Sequence, residues 1–254
     1  GIGTAGGRGR LGDVLDLRPC VGRGLDLARG RRFALARSGR PLDDRSLGRR
    51  VGRTVIDVVD IEPGIDTIAA AWFRLPEGTG INTHIADGRR FLYESTTTYD
   101  LIFSDVYYTM NSVPAHMATK EFLTEAKRKL STRGIFLANV IGSSMEFPGS
   151  ILYGELRTMR EVFPYVAAFP VESSASTRMQ NFILAGSNVP MIRGDGERVT
   201  LGTGANGETR SYPLHQHVEQ VDLRKYPILT DDFSPTEYMA AQMMRRFYDR
   251  EFNQ

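Results

Sequence analysis

Regular patterning of apolar positions begins at Thr54. The run TVIDVVDI (54–61) is short and rich in β-branched residues, Pro63 and Gly64 break it, and a helical pattern carries on through Trp72, so the order is strand, turn, helix. INTHIADG (81–88) and YDLIFSDV (99–106) are two further short runs that close on an acid. The second leads through a loop into a helical pattern from about Ala115 to Leu130. GIFLANVIG (134–142) is entered through the breaker pair Arg133 and Gly134 and is followed by a helical pattern from about Ser150 to Val162. Near-continuous apolar strands alternating with helices predict an α/β fold whose parallel sheet is covered on both faces. YVAAFPV (165–171) and NFILAGS (181–187) leave no room for a long helix between them. They predict an antiparallel C-terminal strand pair at the end of a mostly parallel, Rossmann-like sheet.

Upstream of Thr54 the pattern fails. From Arg8 to Arg53 there are 13 arginines, 5 aspartates and no lysine, a local charge of +8, with neither a 3.6 nor a 2.0 period. A flexible basic insertion, a loosely packed helix pair and an out-of-frame stretch all fit this composition, and disorder or loose packing is expected. The division is then residues 1–53, a truncated glycine-loop unit carrying the arginine-rich insertion, and residues 54–254, a nucleotide-binding α/β domain with a closing C-terminal helix.

Composition narrows the function classes. The chain has 254 residues, 41% of them hydrophobic, enough for a large core. No apolar run approaches the ~18 residues of a membrane span, and no leader opens the sequence, so neither membrane insertion nor secretion is expected. Cys20 is the single cysteine. It excludes disulfide frameworks and zinc sites needing two thiolates, and makes a reducing cytoplasm the expected compartment. The net charge is +2, so the chain outside the arginine-rich stretch carries −6. An acidic body suits a small cationic substrate better than a phosphate backbone. The basic stretch also lacks the interleaved aromatics of a nucleic-acid surface, so no nucleic-acid partner is expected. A homodimer is left open.

Candidate chemistry gathers at the ends of the runs. Gly1, Gly3 and Gly6 in GIGTAGG have GxGxxG spacing, which lets backbone approach a ligand closely; a glycine-rich tail reads the same way. Asp60 ends an apolar strand, where a carboxylate can accept both hydroxyls of a ribose, and Glu62 follows two residues on. From Gly6 to Asp60 is 54 residues, against an expected ~20, and the arginine-rich stretch accounts for the excess. Asp87 can take an adenine amino group beside Gly88, or can N-cap the following GRRFLYE. Asp105 ends the strand YDLIFSD, in position to bind or deprotonate an amine, or to act as a turn acid. Tyr107 and Tyr108 follow, as cation-π partners of an ammonium or as core aromatics. His215 and His217 lack a third ligand and read as polar surface, so no metal is expected. Asp231 and Asp232 form either an acidic wall for a cation or the cap of a closing helix from Pro235 to Tyr248.

Taken in order, VVDIEP, ADGRRFL, YDLIFSDV, SVPAHMATKEF, GIFLANVIG and YPILTDDFSPTEYM resemble the spermidine synthase-like family of aminopropyltransferases, divergent bacterial type, over about Thr54 to Met239. The resemblance implies the seven-stranded sheet of class I methyltransferase type. It also implies transfer of an aminopropyl group from decarboxylated S-adenosylmethionine to an amine such as putrescine. By the same resemblance Asp60 is the ribose acid, Asp87 the adenine-site acid and Asp105 the acid that helps deprotonate the amine. Two positions depart from the family. Tyr108 stands where established members carry a second acid, and the glutamine-and-glutamate signature after the fifth strand is missing, with only Glu146 in VIGSSMEFPGS. Methyl transfer from S-adenosylmethionine and a catalytically silent nucleotide-binding protein are the alternatives.

Overall fold

The computed structural model describes residues 32–37, 55–64, 67, 81–107, 112–171, 176–191, 198–203, 209–213 and 221–252. Among these, seven strands form one sheet: β1 (Arg32–Arg37), β2 (Val55–Asp60), β3 (Ile81–Ile85), β4 (Tyr99–Asp105), β5 (Leu130–Gly142), β6 (Tyr165–Pro170) and β7 (Gln180–Ser187), in the order β3-β2-β1-β4-β5-β7-β6. β3, β2, β1, β4 and β5 are mutually parallel, and β7 runs antiparallel to both β5 and β6. β8 (Arg198–Thr203) and β9 (Thr209–Pro213) make a separate antiparallel pair. The helices are α1 (Gly88–Glu94), α2 (Lys120–Lys129), α3 (Ile151–Val162) and α4 (Thr236–Phe252). The sheet therefore has the α/β, mostly parallel form that the apolar runs predict.

One strand was not legible in the pattern. β1 lies inside the arginine-rich stretch, to which the sequence reading assigns no element, and it occupies the centre of the sheet between β2 and β4. The register sets Arg37 against Asp60 on one side and against Asp105 on the other, so the carboxyl ends of β2, β1 and β4 are level.

The core lies between β4, β5 and the helices α2 and α3. Leu101 to Phe103 and Ile135 to Leu137 are buried throughout, as strands covered on both faces must be. Phe136 of β5 stacks on Phe163 at 6.0 Å and meets Phe122 of α2 edge-on at 6.0 Å, and each such pair adds about 0.5–1.5 kcal/mol beyond area burial. Gly186 of β7 leaves room for Phe163, since a Cβ there would lie 2.6 Å from the ring. A Cβ on Gly142 would meet that of Leu152 at 2.9 Å, which puts α3 against the face of β5 that carries Phe136, Ala138 and Val140.

Caps and cross-ties fix the helices at the carboxyl edge. Thr119 caps α2 through the Phe122 N–H, and its hydroxyl also donates to Asp231 at 2.8 Å. Arg89 of α1 grips Asp231 through two nitrogens, at 2.7 and 2.6 Å. Asp231 thus straps the C-terminal segment onto α1 and the start of α2, which accounts for its carboxylate differently from the helix cap that the sequence favours; α4 begins at Thr236. The Arg89 guanidinium holds the Asp231 carboxyl below its ordinary pKa. Among the described residues, no helix is long and apolar enough to cross a membrane.

Candidate functional site

Parallel strands deliver their last side chains to one edge of a sheet, and ligands of such sheets bind there. Asp60 and Asp105 are the last residues of β2 and β4, and Asp87 follows β3 directly. The three acids singled out in the sequence therefore stand along one edge. The Ala86 N–H donates to the Asp60 carbonyl at 2.9 Å, tying the β3–α1 turn to the end of β2.

Asp60 is 3% exposed and its Oδ1 accepts the Glu62 N–H at 2.9 Å, closing a tight turn that leaves Glu62 itself exposed. Asp87 does cap α1, accepting the Arg90 N–H at 2.9 Å through one oxygen, while the other lies 2.9 Å from His116 Nε2. Partial burial pushes the Asp87 carboxyl up, but the Arg90 N–H and His116 outweigh it and hold the group below its ordinary value. Gly88, the first residue of α1, is buried beside it.

Asp105 has the most constructed setting. Asn139 of β5 donates its amide to Asp105 Oδ1 at 2.8 Å, and the Asn139 oxygen accepts the amide of Asn181 of β7 at 2.9 Å. Because Asn139 opposes Ile183 across the β5–β7 ladder, Asn181 is its diagonal neighbour on the same face. The Asn181 bond fixes which end of the Asn139 amide faces the carboxylate, so Asp105 meets a donor. Tyr107, two residues beyond β4, donates its hydroxyl to the Asn139 carbonyl at 2.7 Å, with its ring against the core. Burial, then the charges of Asp105 and Glu155, push the Tyr107 phenol far up, so it stays a donor.

Three features escaped the sequence reading. Asn139 and Asn181 are isolated amides in apolar strands. Glu155 sits in ILYGELRTMREV four residues from both Ile151 and Met159, so helical spacing alone puts it on the buried stripe. It is 7% exposed, its Oε1 has no hydrogen-bond partner among the described residues, and burial pushes its pKa up to about 8. Asp57, midway along β2, is also buried, but it accepts from Asn82, Tyr99 and His84 and ties β2, β3 and β4 together. Gly1, Gly3, Gly6, Tyr108, His215 and His217 lie outside the described residues.

No family model matches the chain. A polyamine aminopropyltransferase of Vibrio vulnificus is 25% identical over 189 residues, 72% of this chain and 61% of that protein. A human eEF1A lysine and N-terminal methyltransferase is 26% identical over 135 residues, 49% of this chain and 19% of that protein. The chain thus spans about three fifths of the first relative's length and a fifth of the second's. Among solved structures, human methyltransferase-like protein 13 in complex with SAH superposes with a TM-score of 0.51 over 70% of this chain and 80% of that one, at 23% identity, a likeness of fold. The chain is thus distantly similar to the polyamine aminopropyltransferases and to S-adenosylmethionine-dependent methyltransferases, and its sheet has the Rossmann-like form of the class I methyltransferase fold.

Proposed function

We propose that the protein transfers a group from an adenosyl sulfonium to an amine nitrogen, with aminopropyl transfer from decarboxylated S-adenosylmethionine to putrescine or a similar amine as its leading activity. The observation that carries this reading is Asp105, a carboxylate at the sheet edge held by the Asn181–Asn139 pair at 2.9 and 2.8 Å. Both relatives bear names with amine acceptors, a polyamine in one and a lysine or N-terminus in the other.

The donor set suits an adenosyl group. Asp60 offers a carboxylate for ribose hydroxyls, Asp87 one for the adenine amino group, and Gly88 presents no Cβ to the ring. Gly1, Gly3 and Gly6 are proposed to let the backbone approach the donor closely. In the transfer, the amine lone pair attacks the carbon beside the sulfonium, the carbon–sulfur bond breaks, and its electrons stay on sulfur as a thioether. An ammonium has no lone pair to give, so its proton must first pass to Asp105, a general-base role worth about 10² to 10⁴ in rate. Alignment of amine and sulfonium supplies much of the remainder. Tyr108 is proposed to line the acceptor side, at the position where established aminopropyltransferases hold a second acid.

Methyl transfer is the second reading, favoured by the likeness to the eEF1A methyltransferase. Thermal shift with each donor, combined with thioether release over a panel of amines, separates the two. Stabilisation by the decarboxylated donor and release of methylthioadenosine are expected, with Asp105→Asn abolishing release while donor binding persists. Preference for the carboxylated donor with release of S-adenosylhomocysteine would establish methyl transfer. No response to any adenosyl sulfonium or thioether would overturn both.

A further inference from the structure

We propose that His116 is a positioning residue for donor recognition: it holds the second oxygen of Asp87 where a 6-amino purine can bond it, and so sets a preference for adenine over a 6-oxo base. The inference rests on the reading of Asp87 as the adenine-site acid. The fold engages both Asp87 oxygens, Oδ1 with the Arg90 N–H and Oδ2 with His116 Nε2, each at 2.9 Å. Held below its ordinary pKa, the carboxylate is ionised at neutral pH and can only accept, so His116 carries its proton on Nε2 and donates it. Tied at one oxygen, a carboxylate still turns about its Cβ–Cγ bond, a torsion with broad wells; tied at both, its plane is fixed. A carboxylate oxygen can accept a second hydrogen bond, so Oδ2 can take an exocyclic amino group alongside His116, and it repels a carbonyl oxygen.

His116 is itself built into place. Its turn, the 3-10 segment Ala115–Met117, is pinned from two sides. Arg89 of α1 donates to the His116 carbonyl at 3.0 Å while it grips Asp231, and Ser234 donates its hydroxyl to the Ala115 carbonyl at 2.9 Å. Asp231 in turn accepts from Thr119 at the start of α2, and its own N–H donates to Glu121 at 3.0 Å. The β3–α1 turn, the 3-10 turn, α2 and the C-terminal segment thus converge to set one imidazole. Stability does not explain the arrangement, because the side chains of His116 and Asp87 are 50% and 39% exposed and a charge-assisted pair open to water contributes little to folding. The same exposure leaves Asp87 within reach of a ligand, at the carboxyl edge where sheets of this form bind nucleotides.

The test is binding of methylthioadenosine and methylthioinosine, which differ at the base edge as 6-amino against 6-oxo, to the full chain at pH 7, the weaker ligand being titrated to millimolar concentration by displacement. One hydrogen bond to a charged group, present for the first ligand and absent for the second, predicts a preference of about tenfold or more for methylthioadenosine. His116→Ala should cut that preference at least about threefold by weakening methylthioadenosine, with methylthioinosine unchanged within about twofold, and His116→Gln, which keeps a donor, should retain more of it. Equal weakening of both ligands by His116→Ala, or weakening of neither, overturns the proposal. Asp87→Asn keeps the α1 cap, since asparagine caps as well as aspartate, and it should lose the preference because an amide can turn its NH2 toward a 6-oxo group. If Asp87→Asn removes the preference and His116→Ala does not, the adenine-site acid stands and the role of His116 falls. If Asp87→Asn leaves the preference untouched, or methylthioadenosine does not bind, the reading of Asp87 falls and the proposal with it.

Discussion

Glu155→Gln in the ligand-free protein tests how the fold carries a buried carboxyl. The ordinary pKa of 4.5 is raised to about 8 by burial. The native state therefore keeps a proton that the unfolded chain gives up, and protonated Glu155 costs nothing differential below pH 4.5. As pH climbs through the window from 4.5 to 8, the unfolded state gains relative to the native one by about 1.4 kcal/mol per pH unit, and above 8 the loss is complete. Between pH 5 and pH 8 the two-state expressions give about 3–4 kcal/mol. Glutamine has the same shape and does not titrate, so the variant should lack this part of the decline. The measurement is urea denaturation of both proteins at pH 5, 6, 7 and 8, and the quantity read is the change with pH in their stability difference. All other titrating groups cancel, and so does the fixed cost of burying an amide. A difference that stays constant within about 1 kcal/mol across the series would refute the burial argument and show that Glu155 is solvated or paired in solution.

Three further outcomes follow from the same geometry. Asn139→Leu removes the donor to Asp105 Oδ1. A hydrogen bond to a charged group is worth about 1.5–3 kcal/mol, so turnover should fall about 10- to 100-fold with donor affinity intact, and Asn139→Gln should restore less than the whole; an unchanged rate would mean that Asn139 does not position Asp105 for the reaction. Asp60→Ala should weaken adenosyl-thioether binding by about 1.5–3 kcal/mol in titration calorimetry and the exposed Glu62→Ala far less, while equal losses would mean that the wrong acid has been chosen. Gly186→Ala drives a methyl against the Phe163 ring, 2.6 Å from the added atom, and should lower stability by about 1–3 kcal/mol in denaturant titration; no loss would mean that Phe163 has another place to go.

What the one-dimensional pattern determined was the set of strands whose burial is a property of their own composition. β2, β4, β5, β6 and β7 are built on apolar runs rich in β-branched and aromatic residues, and a strand buried in the middle of a sheet needs little beyond apolarity to declare itself, although β5 starts at Leu130 and runs through the Arg133–Gly134 pair that the pattern takes for its boundary. The edge acids were legible for a related reason. A carboxylate that terminates an apolar run must lie where the strand leaves the core, which put Asp60, Asp87 and Asp105 on one edge before any coordinates. β1 was not legible because RFALAR carries arginine at both ends and helix-favouring alanine and leucine between. Only pairing with β2 and β4, which holds its backbone hydrogen bonds, makes it a strand. The Asn139–Asn181 pair is separated by 42 residues and exists only because β7 returns antiparallel beside β5. Glu155 was visible as an acid on an apolar stripe, yet its significance came from packing. Which groups a buried carboxyl meets depends on how α3 is set against β5 and on where the chain beyond β4 carries Tyr107, and those are decided by contacts between elements far apart in sequence.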